Sequence, residues 1–182
     1  MRLRPDTLAL TALLALLQST GPLSTDIYLP SLPSIADAFE TSPANVQLTL
    51  SVFLAGFAVG QIFYGPISDR IGRRPTLLAG LALFVLGSFL CAVAASIEML
   101  IAARFLQAIG GAGPVVLARA IVRDLYEGER AGTELARMGS IMGLVPMLGP
   151  VVGSLLEIVF GWRSAFWFIL LIGLGSAAAV LF

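Results

Sequence analysis

Six uninterrupted apolar stretches constrain this chain more than any other feature. They run over roughly 8–29, 45–66, 76–96, 99–122, 138–160 and 164–182. Each has about the 20 residues that, at 1.5 Å rise, cross a bilayer core of about 30 Å as a helix. Buried in lipid, a backbone must satisfy its own polar groups, which leaves helices or closed barrels. The alternating pattern of a barrel strand is absent. The sequence therefore predicts an all-α integral membrane protein, a bundle of six transmembrane helices. Composition agrees: 58% of the 182 residues are hydrophobic, against 11 acidic and 11 basic ones. A soluble enzyme, a disordered tail and a nucleic-acid-binding domain are excluded on those grounds, the last for want of a basic excess.

The first stretch follows two arginines and has a short apolar core, as a secretion signal would. It lacks a small-residue cleavage site near Gln18–Ser24 and is read as a retained first helix. Every basic residue is arginine, and nine of the 11 fall on one side: Arg2, Arg4, Arg70, Arg73, Arg74, Arg119, Arg123, Arg130 and Arg137. The opposite loops hold Arg163, with Asp37, Glu40, Glu98 and Glu157. The positive-inside rule makes the nine cytoplasmic, so both termini are expected inside. The chain stops at Phe182 within an apolar run, with no polar tail, which reads as one part of a longer protein.

With no histidine, a Ser-His-Asp triad, an HExxH metal site and an imidazole relay are all impossible. The single cysteine, Cys91, reads as a small apolar residue. No enzyme constellation, metal site or cofactor is expected. Glycines four apart (Gly56 and Gly60, Gly139 and Gly143, Gly149 and Gly153) suit close helix packing. Pro114, Pro146 and Pro150 bend their helices.

Two ionisable residues lie within the apolar stretches. Asp26 and Arg104 fall near the outer ends of spans one and four, about 6 and 9 Å below the boundary by helical rise. A lone charge there costs several kcal/mol. Two opposite charges at like depth are expected to border one polar cavity, with Tyr28, Gln47 and Gln107 as further lining. Two alternatives stay open: span one ends early and Asp26 is interfacial, or Arg104 is a fixed tie to backbone carbonyls. A second constellation joins spans two and three: Gly65, Asp69, Arg70, Gly72, Arg73, Arg74 and Pro75. The link is about nine residues, so Gly72 is expected to turn it. Asp69 and Arg73 pair if the segment is helical, and Asp124 offers a second acid. The cluster is either a latch between helix ends or ordinary surface charge.

These motifs resemble those of the major facilitator superfamily. Gly65-x3-Asp69-Arg70-x-Gly72-Arg73-Arg74 is similar to its loop 2–3 signature, and Arg104-x2-Gln107 with Gly110, Gly111 and Gly113 to its span-four motif. Gly149-Pro150-x2-Gly153 resembles the span-five motif of its drug/proton antiporters; Ser154 and Val145 stand where glycines are usual. The segments 25–33 and 119–126 narrow the likeness to the Bcr/CflA drug-resistance transporters. The resemblance implies the N-terminal half of a twelve-helix fold, with a C-terminal six-helix half to follow. It implies a bacterial inner-membrane exporter that exchanges protons for small amphipathic drugs and is driven by the proton gradient alone. Asp26 becomes the proton or cation site, Arg104 its coupled partner, and Asp69, Arg73 and Asp124 a conformational latch. An uptake symporter of the same fold, or a non-transporting scaffold lacking its second half, is the alternative.

Overall fold

The computed structural model describes residues 7–181. Arg2, Arg4 and Phe182, invoked above for orientation and for the last span, lie outside the described residues. The elements are α1 (Leu8–Asp26), a 3-10 turn (Leu29–Ser31), α2 (Leu32–Ala38), α3 (Pro43–Ile71), α4 (Arg73–Ala92), α5 (Ile97–Leu125), α6 (Gly128–Met142), α7 (Val145–Phe160) and α8 (Arg163–Leu181). Six helical units are long and apolar enough to cross a membrane: Leu8–Ala38, Pro43–Ile71, Arg73–Ala92, Ile97–Leu125, Gly128–Phe160 and Arg163–Leu181.

The span count matches the sequence, but two spans are longer than hydropathy suggested. Span one does not stop near Pro30. After Asp26 the chain passes through a 3-10 turn with Pro30, then resumes as α2 to Ala38. Proline lacks the N–H that a continuous helix needs, so the helix breaks while the span goes on. Span five starts at Gly128 rather than near 138, because α6 is an amphipathic helix that leads into α7 across the break at Gly143 and Leu144. Hydropathy missed it because its one buried stripe is diluted by charged residues on the other faces.

Local sequence explains the starts and stops. Thr7, Ser42 and Ser96 cap α1, α3 and α5, each accepting a hydrogen bond from a backbone N–H three residues on. Gly72 has φ 98°, a left-handed value open to glycine, and alone separates α3 from α4. The expected nine-residue link is therefore a single-residue hinge, with Pro75 in the first turn of α4.

α5 is the hub. It packs along α3 on one side and α4 on another, and it also touches α1. Glycines set those distances. A Cβ at Gly87 would stand 2.5 Å from the backbone N and Cα of Gln107, and one at Gly60 would stand 2.7 Å from the Ala112 methyl. Lipid offers no hydrophobic drive between helices, so this intimacy supplies the packing energy. Gly139 and Gly143 do not belong to this set: both are exposed, and nothing lies within 4 Å of a Cβ at Gly139.

Candidate functional site

Three constellations gather the polar side chains of the bundle. The deepest centres on Arg104, whose side chain is fully buried. Its Nη1 donates to the Ser24 carbonyl at 3.2 Å and to Oε1 of Gln107 at 2.8 Å. Gln107 in turn donates to Ser88 at 2.9 Å. The guanidinium lies 4.2 Å from the Phe53 ring centroid and 4.4 Å from that of Tyr28, with Phe166 at 5.8 Å. The Tyr28 hydroxyl shares a 2.6 Å hydrogen bond with Thr49. A desolvated cation over an aromatic face gains about 2 kcal/mol. Arg104 Nε and Nη2 are buried without a partner.

Asp26 does not face this network. Arg104 touches residues 24 and 28, on either side of Asp26, so the expected match in height holds. At about 100° per residue, however, position 26 lies some 200° around the axis from each of them. Among the described residues Asp26 and Arg104 form no ion pair. The shared cavity is thus replaced by two faces of one helix: Arg104 grips the chain two residues before Asp26 through the Ser24 carbonyl, which is the backbone tie left open above. The helical path does not end at Asp26, since α2 carries it twelve residues further, to Ala38. Gln47 is also elsewhere, exposed on α3.

Asp26 instead packs on α7. A Cβ at Gly149 would stand 2.6 Å from its Cβ, and one at Gly153 would overlap the carbonyl of Ile27. The span-five glycines, with Pro150 between them, therefore let α7 lie directly against the break in span one. Oδ2 of Asp26 is buried and has no partner among the described residues.

The cluster at the α3–α4 link forms as a unit. Nη1 of Arg73 meets Asp69, and its Nε donates to Oδ2 of Asp124 at 2.8 Å. Arg73 also donates to Ser68. The Asp69–Arg73 pair bridges two helices across Gly72 rather than lying on one, so spacing within a helix was the wrong reason for a correct pairing. The cluster ties the end of α3 and the start of α4 to the end of α5, around a cleft of about 380 Å³ bordered by Gly65, Asp69, Arg119 and Arg123. Arg70 is exposed, and Arg74 donates to the Leu181 carbonyl at 2.6 Å, outside the cluster.

Sequence reasoning missed three groups. The aromatic cage of Phe53 and Phe166 comes from helices distant in sequence and carries no local signal. Glu134 on α6 is buried and accepts from Thr11 of α1 at 2.8 Å and from Arg137 at 2.6 Å. Glu157, read above as a loop residue, sits within α7 and accepts from Ser34 of α2. Among the described residues no group of three or more His, Cys, Asp or Glu is placed to hold a metal ion.

Known proteins with like sequences and folds are consistent with this arrangement. The family model described as Major Facilitator Superfamily matches residues 13–182. A chloramphenicol resistance protein of Pseudomonas aeruginosa is 40% identical over 158 residues, which is 86% of this chain and 37% of that protein. An MFS-type transporter of Bacillus subtilis, YdgK, is 41% identical over 170 residues, 92% of this chain and 42% of the relative. The multidrug resistance protein MdtL of Escherichia coli is 37% identical over 161 residues, 88% of this chain and 41% of the relative. The crystal structure of the human organic anion transporter MFSD10 superposes with a TM-score of 0.76 at 21% identity, covering 97% of this chain and 47% of that one. The chain spans about two fifths of the length of the curated relatives it matches.

Proposed function

The chain belongs to the major facilitator superfamily, a family of multi-pass membrane transporters and not of enzymes, and from that premise we propose that it is the N-terminal half of a proton-coupled multidrug exporter of the Bcr/CflA kind. The observation that carries the reading is the seat of Asp26: a carboxyl with a buried, unpartnered oxygen, pressed by Gly149 of the span-five motif into the break of span one. Two resistance proteins among the relatives support drug efflux, and the arginine-rich side supports cytoplasmic termini in a bacterial inner membrane.

In this mechanism a proton and a cationic or amphipathic drug compete for Asp26. Proton binding removes a charge that lipid disfavours, so the two loading states stabilise different packings of the α1–α7 seam. Arg104 is a positioning residue: through the Ser24 carbonyl it fixes the turn of α1 that carries Asp26. The Asp69–Arg73–Asp124 cluster holds the cytoplasmic ends of α3, α4 and α5 together and biases which side is open. A C-terminal six-helix half closes the transport path against the exposed faces of α3 and α7.

Everted vesicles carrying the complete transporter test this. Drug added outside is expected to release protons from the lumen, and Asp26→Asn to abolish the release while leaving membrane insertion intact. Full drug-linked proton release by Asp26→Asn refutes the proton-site assignment. Uptake of protons in step with drug would instead identify a symporter.

A further inference from the structure

The contact between span one and span five follows one register along its whole length. Thr11 bonds Glu134 and Ser34 bonds Glu157, both 123 residues apart, and Gln18 donates to Met142, 124 apart. Asp26 meets Gly149, again 123 apart (149 − 26). A constant offset means two parallel units paired side by side, from the cytoplasmic end to the outer end.

Unfilled hydrogen-bonding capacity concentrates on this seam. Gln18 Oε1, Asp26 Oδ2, Ser31 Oγ and Glu157 Oε2 are all buried without partners. Gln18 and Ser31 are more than nine-tenths buried. A buried polar group with no partner costs about 1–3 kcal/mol, and four along one line make that line a place for protons and water.

Glu157 stands above Asp26 on the same seam, eight residues further along α7 from Gly149, or about 12 Å at 1.5 Å per residue. One of its oxygens accepts from Ser34, which leaves Oε2 open. Among the described residues Glu157 forms no ion pair. Of the charged groups on the elements around α7, Asp26 on α1 and Asp37 on α2 are acids. Arg163 of α8 is turned away, donating to the Ala94 carbonyl at 3.0 Å and lying over the Trp162 ring at 4.2 Å. Ser31, on the 3-10 turn packed against α7, lies along span one between Asp26 and Ser34, the residue that bonds Glu157.

We propose that Glu157 is a second proton-binding carboxyl, at the outer mouth of the α1–α7 seam, that passes protons between the outside water and Asp26. A proton from outside water adds to Oε2 of Glu157 to give the neutral acid. It then crosses by way of the Ser31 hydroxyl and bridging water, in three or four hydrogen-bond steps of about 3 Å. Asp26 becomes the neutral acid and Glu157 returns to carboxylate, so charge and protons balance. The seam, not the centre of the bundle, is then the outer proton route. This rests on the reading of Asp26 as the proton site, and the test keeps the two apart.

Infrared difference spectroscopy of the full chain in lipid nanodiscs, acid against base, reads each carboxyl without any need for transport. Against the background of the chain's 11 acidic residues, wild-type-minus-variant spectra are expected to isolate two protonated-carboxyl bands, one missing in Glu157→Gln and one in Asp26→Asn. Glu157→Gln is expected to remove one and to slow hydrogen–deuterium exchange at the other at least tenfold. Ser34→Ala, which leaves the carboxyl in place, is expected to shift the Glu157 band. An unchanged acid spectrum in Glu157→Gln, an unchanged exchange rate at Asp26, or an unshifted band in Ser34→Ala each overturns the proposal. Failure of the Asp26 reading shows separately, as an Asp26→Asn spectrum that loses no band.

Discussion

Gly87 offers the sharpest test of how the bundle is held together. It lies on α4 where α5 crosses, and a methyl group there would stand 2.5 Å from the backbone N and Cα of Gln107. Backbone atoms cannot rotate aside. Restoring an ordinary contact of 3.4–4.0 Å would move the two helices apart by about 0.9–1.5 Å at that point, the difference from the 2.5 Å approach. Overpacking of this kind costs about 1–3 kcal/mol. Replacing a mid-helix glycine by alanine also returns about 0.5–1 kcal/mol of backbone entropy. Gly139 serves as the control, since it too is helical, in the last turn of α6, and a methyl there meets nothing within 4 Å. The entropy gain is common to both substitutions, so the difference between Gly87→Ala and Gly139→Ala isolates the clash, at about 1–3 kcal/mol. Gly139→Ala is expected to stabilise and Gly87→Ala to fall below it by that margin. Unfolding in mixed micelles by titration with a denaturing detergent, followed by circular dichroism, measures both. Equal stabilities refute the claim that glycine sets the α4–α5 spacing. A Gly87→Ala variant more stable than Gly139→Ala refutes it more severely, because the methyl would then be filling space.

Arg104→Met loses two charge-assisted hydrogen bonds worth about 1.5–3 kcal/mol each but relieves two unpartnered buried donors costing about 1–3 each. With the cation–π contact to Phe53 and Tyr28 also lost, the folded chain should be about 2 kcal/mol less stable than wild type by the same unfolding titration, while the efflux proposed for the complete transporter is lost; a collapse of the fold would show that the guanidinium is chiefly structural. Arg73→Ala removes both ion pairs of the Asp69–Arg73–Asp124 cluster and, if the proposed drug transport holds, is expected to slow turnover severalfold with drug affinity unchanged, measured as initial rates in vesicles against equilibrium binding; unchanged turnover reduces the cluster to surface charge. Thr11→Val takes the hydrogen bond from buried Glu134 and is expected to cost about 1–3 kcal/mol, the penalty for a buried acceptor left open; no loss of stability means that Glu134 turns to water instead.

How much of this was legible beforehand depended on the range of the cause. Spans and the glycine hinge arise within a few residues, so Gly72 announced itself; the caps at Ser42 and Ser96 are just as local but emerged only with the structure. The Asp69–Arg73–Asp124 cluster was also legible, because helix ends on one face of a membrane have few places to go. Arg104 was visible as an anomaly, a charge among apolar neighbours, yet its partners were not. Phe53 and Phe166 are indistinguishable in sequence from any lipid-facing aromatic. Asp26 showed the opposite failure: its level relative to Arg104 was read correctly, but its depth was counted from a span end near Pro30 that the structure extends to Ala38, and its partner was assigned by height alone. Height follows from counting residues, whereas the facing direction follows from helix rotation. The break after Asp26 and the approach of α7 at Gly149 and Gly153 set that rotation.

By itself, the sequence determined that this chain lives in lipid, crosses it six times, and carries nine of its 11 arginines on one side. Apolar length and charge placement act locally, through the cost of moving each segment out of water. Only the tertiary structure decided that Arg104 closes an aromatic and amide network while Asp26 turns to span five. That choice rests on which glycines let which backbones approach, an interaction between segments some 123 residues apart, and no local pattern encodes it.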